Sequence, residues 1–234
     1  MSETRGRPPS VFDRAFLTGV EGVTEVLLIR HGQQDVDVNG AVGQLFDPPL
    51  SERGRQQAHL LGLALSTTHV DAVYSSPLER ALETARAVTR HHDLEPAVVA
   101  DLREVEVFRD VPPDETVEQH FGKELLAGVR HRMLTERVWD VYPESEPSAE
   151  FRKRAINAVE AAIAAHAGER IAIVCHGGVI NAYVGHLVGS PYDMFFRPGH
   201  TSVNIVAAGG GRRVLQSLND MHHLHTAEGH FHSY

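Results

Sequence analysis

The chain has 234 residues, and 22 Lys+Arg against 31 Asp+Glu leave a formal net charge of −9, which disfavours nucleic acid and anionic membranes as partners because both need clustered cations. Its 42% hydrophobic and 23% charged residues exclude wholesale disorder, and its single cysteine, Cys175, excludes an internal disulfide and a cysteine-based zinc site. No apolar run nears the ~20 residues that cross a bilayer, and no apolar stretch follows the first residues, so a soluble cytoplasmic protein is expected.

Residues 1–22 carry prolines and mixed charge without periodicity and read as a loosely held N-terminal arm. The continuous apolar run over 26–29 predicts a strand covered on both faces, as in a parallel sheet. It ends at Arg30-His31-Gly32, where Gly32 allows a sharp turn into a polar loop that reaches Leu50. Ser51 is an N-cap for a helix to about Leu65, with Ala58, Leu61 and Leu65 on one face. A strand over 71–74 follows, and Ser75-Ser76-Pro77 offers a cap and a first-turn proline for the next helix. A third strand covers 97–99.

From about 107 to 147 the pattern weakens to helical stretches near 116–126 and 129–138, read as an inserted helical cap. Regularity returns with a helix over 149–165, a strand over 171–175, a helix over 179–188 and strands near 203–206 and 213–217. Residues 219–234 form a His-rich tail. Alternation of strands and helices predicts an α/β three-layer sandwich over 23–218, with a mostly parallel central sheet and helices on both faces.

One arrangement occurs twice: an apolar strand followed by His-Gly, at His31 and at His176. The carboxyl ends of strands line the ligand crevice of an open α/β sheet, so both imidazoles enter one pocket if their strands are neighbours. For either histidine alone, a solvated or buried structural role is the simpler reading. Arg30 beside His31, and Arg80 in the first turn of a helix, add rigid forks of donors that match phosphate oxygens. Alone, Arg80 reads as an exposed helical arginine paired with Glu79 or Glu83.

The segment Leu28-Ile29-Arg30-His31-Gly32 resembles the RHG signature of the histidine phosphatase superfamily, which includes phosphoglycerate mutase-like proteins. The run Asp47-Pro48-Pro49-Leu50-Ser51-Glu52-Arg53-Gly54-Arg55-Gln56-Gln57-Ala58 is similar to its next segment, D-x-P-L-S/T-x-x-G-x-x-Q-A. Tyr74-Ser75-Ser76-Pro77-Leu78-Glu79-Arg80-Ala81-Leu82-Glu83-Thr84-Ala85 and Cys175-His176-Gly177-Gly178 are similar to two more. The resemblance spans about Thr24 to Asn204.

It implies His31 as the nucleophile that becomes a phosphohistidine, and Arg30, Arg80 and His176 as the cage for the phosphoryl oxygens. A backbone carbonyl of the turn would hold the His31 proton away from the attacking nitrogen. The resemblance places the proton donor at Glu104, with Glu106 as backup; as bare residues both are surface charges. Gln34, Asn39, Gln44 and Gly177 are candidate substrate contacts. Departures are Val107-Phe108-Arg109-Asp110-Val111-Pro112-Pro113 in place of a G-x-W-E-G stretch, and Asp37 where an asparagine is usual, with Asn39 as its replacement.

The expected function is therefore a metal-independent phosphomonoester hydrolase acting on a small phosphorylated metabolite, with no cofactor. The alternative is mutase-type phosphoryl transfer, disfavoured because Cys175-His176-Gly177-Gly178-Val179 departs from A-H-G-N-S. A non-catalytic phospho-ligand binder is a third class, disfavoured because the cage and a candidate acid are all present. The tail histidines His222, His223, His225, His230 and His232 could ligate a metal, but terminal tails are usually mobile, so no metal site is assigned. Cys175 reads as a small buried residue at a strand end. The oligomeric state is open, a homodimer included.

Overall fold

The computed structural model describes residues 8–226 and 229–234. Its first element is α1 (Val11–Phe16), opened by a capping box in which Ser10 Oγ accepts from Asp13 N and the Asp13 carboxylate accepts from Ser10 N. Leu17 is the buried anchor of this segment, whereas Val11, Phe12 and Phe16 stay exposed. Residues 1–7 of the arm lie outside the described residues.

The apolar run forms β1 (Thr24–Arg30), and a loop containing the single turn α2 (Gly43–Phe46) leads to α3 (Glu52–Leu65). Ser51 caps α3 by accepting from Gly54 N at 3.0 Å. β2 (Ala72–Ser75), α4 (Glu79–Thr89) and the two-residue β3 (Ala97–Val98) follow. Here one expectation fails. Ser76 and Pro77 precede α4, and the cap position is Leu78, with no side-chain cap bond. The Ser76 hydroxyl is turned to the ends of the strands instead.

The cap segment holds α5 (Val117–Phe121) and α6 (Lys123–Glu136), which break at Gly122 with φ +78 rather than between 126 and 129. A left-handed φ costs a glycine little, so the chain turns there. The remaining elements are α7 (Ser148–Ala165), β4 (Arg170–Cys175), α8 (Gly177–Val188), β5 (Val203–Gly209) and β6 (Arg212–Asp220). Gly210 and Gly211, both at positive φ, close the β5–β6 hairpin in two residues, which sets those strands antiparallel.

The six strands order as β3-β2-β4-β1-β5-β6, with β1 to β4 parallel and β5 and β6 antiparallel. Side chains alternate across the pleat of β1. Val26 and Leu28 enter one core with Phe151 and Val159 of α7 and Tyr183 of α8, while Leu27 and Ile29 face Leu61 of α3 and Ala81, Ala85 and Val88 of α4. Each such side chain contributes about 1.5–3 kcal/mol by leaving water, so a strand buried on both faces locks its register.

The tail is no free end. It forms a 3-10 turn at His222–Leu224 and the short hairpin β7 (His225–Thr226) and β8 (Gly229–His230), and Leu224 is fully buried. Arg53 and Gln57 of α3 donate to the carbonyls of His232 and Phe231 at 2.8 and 2.6 Å. No helix among the described residues is long and apolar enough to cross a membrane.

Candidate active site

β1 and β4 are parallel neighbours in the register Arg30↔Cys175, so the residues that leave these strands, His31 and His176, emerge side by side. Their ring centroids stand 5.0 Å apart, and both residues are almost wholly buried. Gly32 follows His31 without a positive φ. Its service is close approach: a Cβ there would meet the Gly54 carbonyl oxygen at 2.5 Å, so the glycine lets the start of α3 sit against the turn.

The imidazole of His31 is oriented from both sides. Its Nδ1 lies 2.7 Å from the Gly32 carbonyl, an acceptor only, so Nδ1 carries the proton. Nε2 is thus the free-base nitrogen, and Arg80 Nε donates to it at 3.3 Å. Burial first, then the charges of Arg80, the neighbouring His176 and Arg30, hold the His31 pKa well below its ordinary value. His176 is depressed by burial and by Arg80 and Arg30 in the same way. Leu78 N donates to Ser76 Oγ at 3.3 Å, and Ser76 Oγ lies 2.7 Å from His176 Nε2. With the Ser76 hydroxyl as donor to Nε2, the proton of neutral His176 resides on Nδ1.

Arg80 is buried in the first turn of α4 and is held from behind. It donates to the Phe46 carbonyl at 3.2 Å and approaches Asp47 Oδ1 at 3.5 Å, and the same oxygen accepts from Glu79 N at 2.8 Å. Arg30 donates to the Pro198 carbonyl at 2.5 Å. Burial lowers its pKa to about 10, with Glu104 opposing and Arg197 and Arg80 assisting, which leaves it cationic at neutral pH. Arg30 Nε and His176 Nδ1 are buried without a protein partner among the described residues. Two inward donors without acceptors are unusual in a protein interior and fit an oxyanion.

Glu104 completes the cluster. One carboxylate oxygen accepts from Gly178 N at the start of α8 at 3.0 Å, and the other accepts from Val105 N at 3.0 Å. Its backbone is fixed by Arg154 of α7, which donates to the carbonyls of Asp101, Arg103 and Glu104 at 2.9, 2.7 and 3.0 Å. Arg154 is itself paired with the buried Glu146 at 2.6 Å.

The cluster opens into a cavity of about 380 Å³ lined by Arg30, His31, Gln34, Arg80, Glu104 and Glu106 among others. Glu106 is engaged by Arg103 at 3.2 Å. Gly177 lies beside the cage, since a Cβ there would be 3.8 Å from Arg30 Nε. Asn39 and Gln44 stay outside, since both are exposed and neither lines the cavity: the turn closed by Gly40 N to Asp37 O at 2.9 Å carries 37–40 toward solvent, and Gln44 is an exposed residue of α2.

Sequence reasoning passed over four residues that the fold brings in. The sequence marks Ser76 only as a helix cap, and Arg154 lies within the helix predicted over 149–165 without any role assigned to it. His200 lies with its ring 5.8 Å from that of His31, and its Nδ1 lies 2.8 Å from Ser233 Oγ in the tail. Burial, with Arg30, lowers the His200 pKa to about 3. Trp139 lines the cavity from the cap. Ser76 lies inside one motif and its partner His176 in another, 100 residues on; Arg154 and His200 act through residues far along the chain, which no local pattern marks. Among the described residues no group of three or more His, Cys, Asp or Glu is arranged to hold a metal, the tail histidines included. Cys175 is buried, and burial raises its thiol pKa.

Residues 26–221 match the family model described as histidine phosphatase superfamily, branch 1. Phosphoserine phosphatase 1 of Hydrogenobacter thermophilus is 28% identical over 220 residues, 86% of this chain and 95% of that protein. Among solved structures, YhfR of Bacillus stearothermophilus superposes with a TM-score of 0.72 at 28% identity, covering 86% of this chain and 98% of the other. A phosphoglycerate mutase of Bacillus anthracis str. Sterne shares the fold with a TM-score of 0.69 at 22% identity, covering 87% and 96%.

Proposed function

The chain belongs to the histidine phosphatase superfamily, and from that premise we propose that it hydrolyses small phosphomonoesters through a phosphohistidine at His31. The observation that carries the reading is the state of one ring: His31 Nδ1 is committed to the Gly32 carbonyl, which leaves Nε2 as a lone pair inside a cluster of two arginines and a second histidine.

Nε2 of His31 attacks phosphorus as the ester P–O bond breaks. Arg30, Arg80 and His176 Nδ1–H hold the equatorial oxygens, where charge builds up in a low-dielectric site. The departing alkoxide takes a proton from Glu104. A water then attacks the phosphohistidine, Glu104 takes its proton back, the P–N bond breaks and inorganic phosphate leaves. Phosphoryl transfer asks the protein mainly for positioning and electrostatics, which the two arginines supply in a buried setting.

Release of inorganic phosphate from p-nitrophenyl phosphate and from a panel of phosphorylated metabolites, measured with and without a chelator, tests this reading. Equal rates in both conditions are expected. No release from any substrate by protein shown to be folded overturns it. A product rearranged rather than dephosphorylated selects the mutase alternative. The relatives' names make phosphoserine the reference substrate for this panel.

A glycine tests the placement of Glu104. A Cβ at Gly178 would meet Glu104 Oε1 at 2.2 Å and Phe151 Cζ at 3.1 Å. The carboxylate is the mobile partner, so Gly178→Ala is expected to swing it away while the fold loses only about 1–2 kcal/mol. Turnover should fall at least about tenfold, within the range that a positioned acid contributes. Melting temperature and kcat measured together check this, and unchanged kcat would remove Glu104 from the acid role.

A further inference from the structure

We infer that the leaving group of the natural substrate is an uncharged, largely apolar alcohol rather than the amino acid of phosphoserine or the acid of a phosphoglycerate. This rests on the phosphatase reading above and names the substrate class of the same site.

Beyond the phosphate cage the walls are mainly apolar, with Gln34, Arg103 and Glu106 as the polar side chains among them. Val42, Leu45 and Phe46 line one side of the cavity, and Val107, Phe108 and Trp139 come from the cap segment on the other. Such a surface gains by covering apolar area and loses when a charge must shed its water against it.

The charged groups left over are already matched to one another. Arg103 lies 3.2 Å from Glu106 and 3.7 Å from Asp101, so a substrate carboxylate at its guanidinium would have to compete with two carboxylates of the chain. An ammonium at Glu106 would likewise share that carboxylate with Arg103. Arg30, Arg80 and Glu104 belong to the phosphoryl group and its proton. A zwitterionic or anionic leaving group would therefore have to compete with existing ion pairs for its counter-charges, at a wall that is otherwise apolar.

Two further features show that the wall is built. Phe108 keeps a left-handed φ of +60, unfavourable for a residue with a Cβ, and is clamped there with ring centroids 5.8 Å from Phe121 and 5.6 Å from Tyr142. Trp139 stacks on Tyr142 at 6.1 Å, and its indole N–H is buried without a partner among the described residues. Phe108 lies within 107–113, where this chain departs from the pattern of its family.

The test compares kcat/KM for 2-phenylethyl phosphate, L-phosphoserine and 3-phosphoglycerate, with p-nitrophenyl phosphate as an activated reference. All three test substrates leave as aliphatic alkoxides, so the comparison reads the pocket rather than leaving-group acidity. The expected ratio favours 2-phenylethyl phosphate by about tenfold or more over each charged substrate. Phe108→Ala should lower that ratio by about fivefold or more. A ratio of two kcat/KM values is independent of the folded fraction, so partial misfolding of the variant does not blur the result. A charged substrate preferred or equal, or a ratio untouched by Phe108→Ala, overturns the inference while turnover of p-nitrophenyl phosphate leaves the phosphatase reading standing. If p-nitrophenyl phosphate is untouched as well, the phosphatase reading falls and this inference falls with it.

Discussion

His31→Ala is expected to lower kcat/KM by on the order of 10⁴-fold or more, the scale seen when a covalent nucleophile is removed from a preorganised site. The reason lies in the division of labour. Arg30, Arg80 and His176 stabilise charge, but without Nε2 of His31 there is no atom to take the phosphoryl group, and a water would have to attack in a site not arranged for it. Rapid acid-free quenching of the wild type with labelled substrate should leave label on the protein, and mapping should place it at His31. The variant should carry none.

Binding separates this outcome from collapse of the fold. The variant keeps both arginines and the Nδ1 of His176, so inorganic phosphate should still raise its melting temperature by mass action. Turnover above about one hundredth of the wild-type value, with phosphate binding intact, would exclude His31 as the nucleophile.

Acidification is expected to destabilise the fold well before carboxylates protonate. Four buried histidines are held neutral: His31 and His176 well below the ordinary value of 6.5, His200 at about 3 and His223 at about 4. Burial is the leading cause in each, joined by Arg80 and Arg30 at His31 and His176, by Arg30 at His200, and by His232 and His222 at His223. In the unfolded chain the same imidazoles take up a proton near 6.5. The unfolded state therefore binds more protons as pH falls, and stability that is complete above 6.5 is lost below it.

Between about pH 7.5 and about pH 5.5 each such histidine costs about 1.4 kcal/mol, so the four together remove roughly 5 kcal/mol, a large share of the stability of an ordinary domain. Denaturant titrations in phosphate-free buffer check this. A loss below about 1.5 kcal/mol would mean that these rings titrate in the native state. Glu146 and Glu160, whose carboxyls sit below their ordinary range beside Arg154 and Arg213 despite burial, add a loss of the same sign only at lower pH.

Strand and helix placement was legible because burial on two faces, caps and turns leave local marks. The run at 26–29 and the Ser51 cap each announce an element within a few residues. The helix after β2 was misjudged at its start because Ser76 has two uses. A serine before a helix normally caps it, but here its hydroxyl serves His176, 100 residues on. The tail offers the same lesson. A His-rich terminus looks mobile by composition, yet Gln57 Nε2 donates to Phe231 O and Ser233 Oγ at 2.6 and 2.8 Å and ties it beside His200.

The amino-acid order alone located the sheet strands and the four residues proposed as the phosphate cage, and pointed to the family, because motif residues at strand ends act through types and spacings that one chain displays in a line. Only the tertiary structure decided which carboxylate faces the cage, that Arg154 and Glu146 pin its backbone, that the terminus buttresses His200, and that the cap wall is apolar and charge-matched. Those outcomes depend on contacts between residues far apart along the chain. Their distances follow from how sheet, cap and tail close on one another, and no local pattern encodes that closure.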